Sequence, residues 1–343
     1  MIRVQNVYYM LAYAFRILHE REYKDVATED FENVTELLSA ILCRGVSVQI
    51  KQGLCREYLA NQEPLGSPRG KIEIGASIKS QTIRKKQLIC TYDEFSVDAK
   101  ANRILKTTME LLLLANISKE RKKELRKLLL FFKDVTSLDK RRIDWNVQYD
   151  RNNQTYRMLL AICKLVIKGL LQTDAAGNIR IKKYIDDQSA ATLYEKFILE
   201  YFRREHRDLK AYSPQIAWQV DDGFEDRLPT MQSDIVISNP KTKKTLIIDA
   251  KYYAHNMQSK ADFSARTIYS AHLYQIFAYV KNWKAEPGET VSGMLLYAGT
   301  DDEIQPNHQY LITGNQISVR TLDLNCDFSM IAATLDGIAA SIK

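Results

Sequence analysis

Apolar residues recur at helical spacing in the opening segment of the chain and again further on. The first such stretch, residues 7–18, follows Asn6, which can cap the start of a helix. A second helix is predicted over residues 31–43, and residues 99–171 return to the same spacing. Within that last stretch, the basic run at residues 119–127 is typical of an exposed helix face.

Residues 44–98 have a different pattern, which is typical of strands. Val46, Val48 and Ile50 alternate with polar neighbours, and residues 71–74 alternate in the same way. We therefore expect a small β-rich module between two helical regions.

The carboxy-terminal part mixes strands with helices, as in α/β or α+β domains. A linker is expected at residues 172–178, so the predicted division is residues 1–175 and residues 176–343. The predicted helices cover residues 189–206 and 267–283, and the predicted strands cover residues 233–238, 245–253, 291–297, 310–312 and 317–322.

Composition places the chain among soluble globular proteins. Of its 343 residues, 45% are hydrophobic and 27% are charged, which excludes disordered, collagen-like and disulfide-scaffold classes. The net charge of +7, most of it within residues 1–150, is a mild indication of an anionic partner. The five cysteines form no CxxC pair, and no apolar run is long enough to span a membrane. We therefore expect no zinc site, reduced thiols and a cytoplasmic location.

The segment 231–253 carries the most informative pattern. If its two strands pair as a hairpin centred on the loop at residues 239–244, Asp234 lies opposite Asp249, with Cβ atoms about 5 Å apart. Lys251 follows Asp249 by two residues and so points to the same face. The other face holds apolar residues, namely Ile235, Ile237, Leu246 and Ile248.

Two facing carboxylates repel each other, and a divalent cation would offset that repulsion. The Ala250 carbonyl could supply a further oxygen ligand, and Lys251 could orient water or stabilise charge on a phosphate. This set suits metal-assisted phosphodiester hydrolysis. The alternative is a surface hairpin with an Asp–Lys ion pair and an unrelated aspartate.

Two helices offer further candidates. Glu200 lies on the flank of the apolar face of the helix at residues 189–206 and could be a further metal ligand, whereas Glu195 lies further toward solvent. Gln275 and Tyr279 share one face of the later helix and could bind a phosphate or the acidic residues. The alternatives are ordinary helix packing for that second pair, and for Glu200 a surface ion pair with one of Lys196, Arg203 and Arg204.

Asp234, followed by Asp249, Ala250 and Lys251, resembles the PD-(D/E)XK nuclease motif, with Ser233 in place of the usual proline. Glu200 matches the acidic position of the first helix, and the spacing of Gln275 and Tyr279 resembles the QxxxY motif of RecB-like members. The resemblance implies a restriction-endonuclease-like α/β/α domain. In such a domain Asp234, Asp249, Lys251, Gln275 and Tyr279 would be catalytic, and Asp234, Asp249, Ala250 and Glu200 would bind Mg²⁺.

The segments NVYYMLAYAF, RGKIEI, ANRILK and LIIDAKYY resemble the McrC family, the nuclease subunits of McrBC modification-dependent restriction systems. This resemblance implies a hexameric AAA+ GTPase (McrB-like) as partner, methylated double-stranded DNA as substrate, and docking on the ring through the amino-terminal region. It also implies that the chain stimulates GTP hydrolysis. The segment 66–71 lacks the spacing of a phosphate-binding loop, so GTP is expected on the partner alone.

The sequence leaves several alternatives open. The basic residues of the β-rich module and of residues 121–127 could contact the GTPase ring or DNA phosphates, and the second run could also be a solvated helix face. A rival function is a non-catalytic adaptor that activates an NTPase ring. A third is a DNA-binding module without hydrolysis. A double-strand cut would use two nuclease sites, which would favour a dimer in the assembly.

Overall fold

The computed structural model describes residues 2–15, 31, 33–149, 155–176, 187–253, 257–259 and 266–343. In chain order, its helices and strands are α1 (Val4–Ala14), α2 (Val34–Gln52), β1 (Glu57–Leu65), β2 (Lys71–Ile72), α3 (Ile74–Lys79), β3 (Leu88–Ser96), α4 (Lys100–Leu114), α5 (Lys119–Leu129), α6 (Tyr156–Ala176), α7 (Asp187–Glu205), β4 (Lys210–Tyr212), β5 (Gln215–Ile216), β6 (Met231–Gln232), β7 (Ile235–Asn239), β8 (Lys244–Lys251), β9 (Gln258–Ser259), β10 (Arg266–Thr267), α8 (Ser270–Asn282), β11 (Thr290–Ala298), β12 (His308–Ile312), β13 (Asn315–Leu322) and α9 (Phe328–Ala340).

The chain divides into two compact units. One comprises Thr35–Leu171, and the other comprises Met1–Val34 together with Gln172–Lys343. The division near residue 171 lies close to the predicted one, but the opening segment belongs with the carboxy-terminal residues and not with residues 35–171. The reason is a long-range anchor, because the Asn6 side chain donates hydrogen bonds to the carbonyls of Leu324 and Cys326.

The unit Thr35–Leu171 contains an antiparallel sheet with the strand order β1-β3-β2, surrounded in sequence by helices. The expected β-rich module is therefore present, but it begins later than predicted. The prediction of a strand through Val46, Val48 and Ile50 is wrong, because these residues continue α2 to Gln52. Of the alternating residues 71–74, only the first two form a strand, and Ile74 begins α3.

The helical predictions for the same unit hold in part. The basic run forms α5, in which Leu125 and Leu128 are buried while Lys123 and Lys127 are exposed, so this face is solvated as expected. The linker predicted at residues 172–178 is wrong up to Ala176, because α6 extends to that residue. Residues 177–178 of that linker, like residues 16–18 of the first predicted helix, lie outside the described residues.

The second unit is built on a mixed six-stranded sheet, which confirms the predicted mixture of helices and strands. Its strand order is β12-β13-β11-β8-β7-β4. Strand β11 is parallel to both β8 and β13, whereas β7 is antiparallel to β8 and to β4. The parallel pairing of β8 and β11 places their carboxyl ends at the same edge of the sheet.

Two helices position that edge. Helix α7 packs against β4, β7 and β8, and α1 packs against α7. Helix α8 covers one sheet face, where Ile276 and Val280 join the apolar core. The approach of α8 to β11 is so close that a Cβ atom at Gly293 would lie 2.9 Å from side-chain atoms of both residues. Within the described part of the chain, no helix has the length and apolar character needed to cross a membrane.

Candidate active site

The hairpin of β7 and β8 has the register that the sequence predicts. Ser238 lies opposite Thr245, and Ile235 lies opposite Ile248. One position further along, Asp234 and Asp249 therefore face each other at the end of the ladder. The Oδ2 atom of Asp234 accepts a hydrogen bond of 2.8 Å from the backbone N–H of Ala250. The two carboxylates thus meet at the carboxyl end of β8.

Burial makes this pair of carboxylates unusual. Asp249 is only 1% exposed, and neither of its side-chain oxygens has a hydrogen-bond partner of good geometry among the described residues. Burial raises the pKa of Asp249, an effect that the charge of Lys251 opposes. Burial also raises the pKa of Asp234 far above its usual range, and the charges of Asp249 and Glu195 raise it further. The pair therefore retains a proton at pH values where isolated aspartates are ionised.

Lys251 supplies the compensating charge. Its Nζ atom lies 2.7 Å from Oδ2 of Asp249, and both side chains are largely buried. Burial alone would lower the pKa of Lys251, but the neighbouring charges of Asp249 and Asp234 outweigh burial and raise it. Lys251 is therefore an ammonium held against the carboxylates.

Helix α8 fixes the position of Lys251 through a chain of hydrogen bonds. Lys251 Nζ donates to Gln275 Oε1 at 2.9 Å, and Gln275 Nε2 donates to the Tyr279 hydroxyl at 2.8 Å. That hydroxyl donates to the Gln232 carbonyl at 2.9 Å. The predicted pair on one helix face thus reaches the site, where Gln275 bonds to the lysine and Tyr279 bonds to Gln275.

The two glutamates of α7 lie in different surroundings. Glu200 is buried, and its Oε1 atom lies 2.8 Å from the guanidinium of Arg203, which is the alternative considered for it. Glu195 is less buried than Glu200, as predicted, and its pKa is raised by partial burial and then by the charge of Asp249. Glu195, whose charge acts on both aspartates, is therefore a further candidate for the third carboxylate of the site, and Glu200 as a metal ligand stays a prediction.

The two glutamates also differ in position along α7. Tyr194 donates a hydrogen bond to the Leu296 carbonyl, and Leu296 is paired with Ala250, the residue after Asp249. The side chain of Tyr194, the residue before Glu195, therefore reaches the strand next to the one that carries Asp249. Glu200 is five residues further on, about 7.5 Å along the axis of an α-helix.

His272 and Tyr297 also belong to the site, and the sequence prediction missed both. Tyr297 is paired with Lys251 across the parallel strands, and its hydroxyl lies 2.7 Å from Nδ1 of His272. Burial, followed by the charge of Lys251, lowers the pKa of His272 to about 4. A signal for His272 was present, because it shares a helix face with Gln275 and Tyr279 at i, i+3 and i+7.

The donor set of the site fits a hard divalent cation. The carboxylates of Asp234 and Asp249 offer the oxygen atoms that Mg²⁺ prefers, and the charge of Glu195 acts on both of them. The oxygens of Asp249 are buried, with the Lys251 ammonium as their charged neighbour. The described residues contain no cluster of three His, Cys, Asp or Glu side chains already arranged as metal ligands. The carbonyl of Ala250 remains a predicted ligand.

The known proteins that resemble this chain are components of McrBC restriction systems. The family model described as "McrBC 5-methylcytosine restriction system component" matches residues 3–298. A relative from Escherichia coli (strain K12), named "Type IV methyl-directed restriction enzyme EcoKMcrBC", is 28% identical over 340 residues, which cover 96% of this chain and 95% of the relative.

Two solved structures from Thermococcus gammatolerans are also similar. One is a half-complex from a tetradecameric assembly of McrB AAA+ hexamers with bound McrC, with 16% identity, a TM-score of 0.48, and coverage of 98% of this chain and 76% of that chain. The other is the McrBC complex, with 18% identity, a TM-score of 0.39, and coverage of 59% and 58%.

Proposed function

Because the chain belongs to the McrBC 5-methylcytosine restriction system component family, we propose that it is the DNA-cleaving subunit of such a system. The proposed activity is Mg²⁺-dependent endonucleolytic hydrolysis by a PD-(D/E)XK site. One observation carries the proposal, namely the convergence of Asp234, Asp249 and Lys251 at the buried end of the β7–β8 hairpin.

The energetics of this end of the hairpin support a catalytic role. Two buried carboxylates with raised pKa values destabilise a fold, and apolar residues of similar volume would be as stable or more so. A protein that served only as an adaptor would gain nothing from the arrangement. Ionisable groups perturbed by burial and by each other are typical of functional sites.

Each residue has a distinct part in the proposed reaction. Asp234, Asp249 and Glu195 would hold Mg²⁺, which supplies Lewis-acid activation of the scissile phosphate and of water. Lys251, kept protonated by Asp249 and Asp234, stabilises negative charge that develops on the phosphate. Gln275 acts as a positioning residue, because it accepts a hydrogen bond from Lys251, and Tyr279 in turn holds Gln275.

We further propose that a hexameric AAA+ GTPase is the partner and that methylated double-stranded DNA is the substrate. One T. gammatolerans structure is described as McrB AAA+ hexamers with bound McrC, and the E. coli relative is named as methyl-directed. The segment 66–71 of this chain lacks the spacing of a phosphate-binding loop, which agrees with GTP binding by the partner. Cleavage in the cytoplasm by a pair of nuclease subunits would complete this scheme.

The test combines two readouts on the assembled complex. Wild type and Asp249→Ala are each mixed with the AAA+ protein encoded beside them, GTP, Mg²⁺ and methylated plasmid. We expect wild type to cut the plasmid and Asp249→Ala to lose cutting while it still stimulates GTP hydrolysis. Equal cutting by both proteins would remove the hairpin as the catalytic centre. GTPase stimulation without cutting by either protein would support the adaptor function instead.

A further inference from the structure

Three rings form an aromatic cluster beside Lys251, which we call the aromatic shelf: Tyr253, Tyr269 and His272. The ring centroid of His272 lies 5.1 Å from that of Tyr253 and 5.0 Å from that of Tyr269. The rings of Tyr253 and His272 are nearly parallel, with an interplanar angle of 22°. Tyr253 is 47% exposed, so the shelf presents aromatic surface to solvent.

The shelf is continuous with the proposed nuclease site. Tyr253 follows Lys251 by two residues, directly beyond the end of β8. His272 lies 5.8 Å, between ring centroids, from Tyr297, the residue paired with Lys251 across the parallel strands. The aromatic shelf and the Asp234–Asp249 pair therefore both adjoin Lys251, so a nucleotide next to a phosphate bound at that pair would meet the shelf.

The chemistry of the shelf suits a nucleobase. Aromatic side chains with free faces stack on bases of any sequence, and such stacking contributes strongly to binding of single strands. In an intact duplex both faces of each base are covered by its neighbours, so a base can use a protein ring only where the strand is unpaired or unstacked. A partly exposed ring at the edge of a phosphate-cleaving site thus points to a locally opened strand.

We propose that the aromatic shelf stacks a nucleobase next to the scissile phosphate, so that the site acts on a strand that is locally unpaired at the cut. This inference rests on the proposed function, because it takes the Asp234–Asp249 pair as the position of the phosphate. Tyr253 is the residue that contacts the base, and His272 and Tyr269 pack against its ring.

The chain offers a matched control for Tyr253. Tyr274 lies on α8, is 73% exposed and lies outside the shelf. If any exposed tyrosine of this region contributed equally to DNA binding, Tyr274→Ala and Tyr253→Ala would have equal effects.

The experiment measures binding and stacking without cleavage. The full chain, with its AAA+ partner and in an Asp249→Asn background, is titrated into a single-stranded oligonucleotide that carries 2-aminopurine and into the matching duplex, at one fixed salt concentration. We expect quenching of 2-aminopurine by Tyr253 and Tyr253→Phe proteins. Tyr253→Ala and Tyr253→Leu should lose the quenching and bind the single strand about tenfold more weakly. The control, Tyr274→Ala, should quench and bind as the protein that retains Tyr253 does.

The outcomes separate this inference from the proposed function. Unchanged affinity and quenching in both Tyr253→Ala and Tyr253→Leu would overturn the shelf as a base-binding surface. Equal losses of affinity for single strand and duplex in the Tyr253 variants, without quenching by any of the proteins, would overturn base stacking. That result would favour contacts to the sugar–phosphate backbone. Quenching that depends on Tyr253, together with no cutting by the wild-type complex, would support the shelf while the nuclease proposal fails.

Discussion

The Asp234 carboxylate accepts a hydrogen bond of 2.8 Å from the backbone N–H of Ala250. A main-chain donor at the end of β8 thus fixes one carboxylate, while Lys251 holds the other, Asp249. The two acidic groups are therefore held close by separate contacts, although each is raised in pKa by burial. Such an arrangement is stabilised when a cation lies between the carboxylates.

Replacing Gln275 tests whether α8 positions the lysine. Gln275→Ala removes the acceptor of the Lys251 hydrogen bond, and we expect cleavage by the complex to fall about 10–100-fold, as for other groups that orient a metal site. Tyr279→Phe, which leaves the amide of Gln275 unsupported, should have a smaller effect in the same direction. Single-turnover cleavage of methylated DNA measures both, and Tyr274→Ala serves as the control. Full activity of Gln275→Ala would show that Lys251 needs no such support.

The two glutamates of α7 give a matched comparison. Glu195→Gln should lower the cleavage rate about tenfold or more and raise the Mg²⁺ concentration needed for half-maximal cleavage, because the charge of Glu195 acts on the two aspartates proposed to bind the metal. Glu200→Gln should cut at close to the wild-type rate, because Glu200 pairs with Arg203. A Mg²⁺ titration of cleavage distinguishes them. A larger loss of cleavage in Glu200→Gln than in Glu195→Gln would identify Glu200 as the third carboxylate.

His272 should stay neutral down to acidic pH. Its pKa is lowered to about 4 by burial and by Lys251, so the folded protein does not bind the proton that the unfolded chain takes up below the ordinary histidine pKa of 6.5. Stability therefore falls as the pH decreases through that interval, and His272→Gln should lose this part of the pH dependence. The imidazole resonance of His272 is assigned by its absence from the spectrum of His272→Gln. In an NMR titration of the wild type, the chemical shift of that resonance should change only near pH 4. Titration near pH 6.5 would contradict this.

Asp234→Asn should stabilise the metal-free protein at alkaline pH. The raised pKa means that folded Asp234 keeps a proton that the unfolded chain releases, so wild-type stability falls as the pH rises from the ordinary aspartate pKa toward the raised value. The amide removes the charge and can still accept the hydrogen bond from Ala250. Thermal melts in EDTA should show a higher Tm for Asp234→Asn at pH 8 and a much smaller difference at pH 5. A difference independent of pH would refute the assignment.

The hairpin could be predicted from sequence because its determinants are local. The loop position fixed the register, and alternation of β-branched residues fixed the faces, so Asp234 and Asp249 were brought together correctly. The strand prediction at Val46–Ile50 failed for a local reason as well: a three-residue alternation is too short to outweigh the helix that continues through it.

Other features depend on contacts between distant segments. The grouping of α1 with the carboxy-terminal residues rests on hydrogen bonds from Asn6 to backbone carbonyls more than 300 residues away, as in the pair Asn6–Leu324. The interaction of Glu195 with the aspartates was missed because α7 buries a wide arc that includes Phe202, so an apolar stripe along the helix does not identify the sheet-facing side. The two glutamates also differ in their position along the helix axis, which the sequence pattern does not report.

Calorimetric titration of Mn²⁺ into the full chain tests the metal site most directly, because Mn²⁺ accepts the same oxygen ligands as Mg²⁺. Saturable binding by wild type and by Glu200→Gln, with loss of binding in Asp234→Asn and Asp249→Asn, is the result that the arrangement of these carboxylates predicts. Mn²⁺ binding that is unchanged in Asp249→Asn would contradict a metal site at the end of the β7–β8 hairpin.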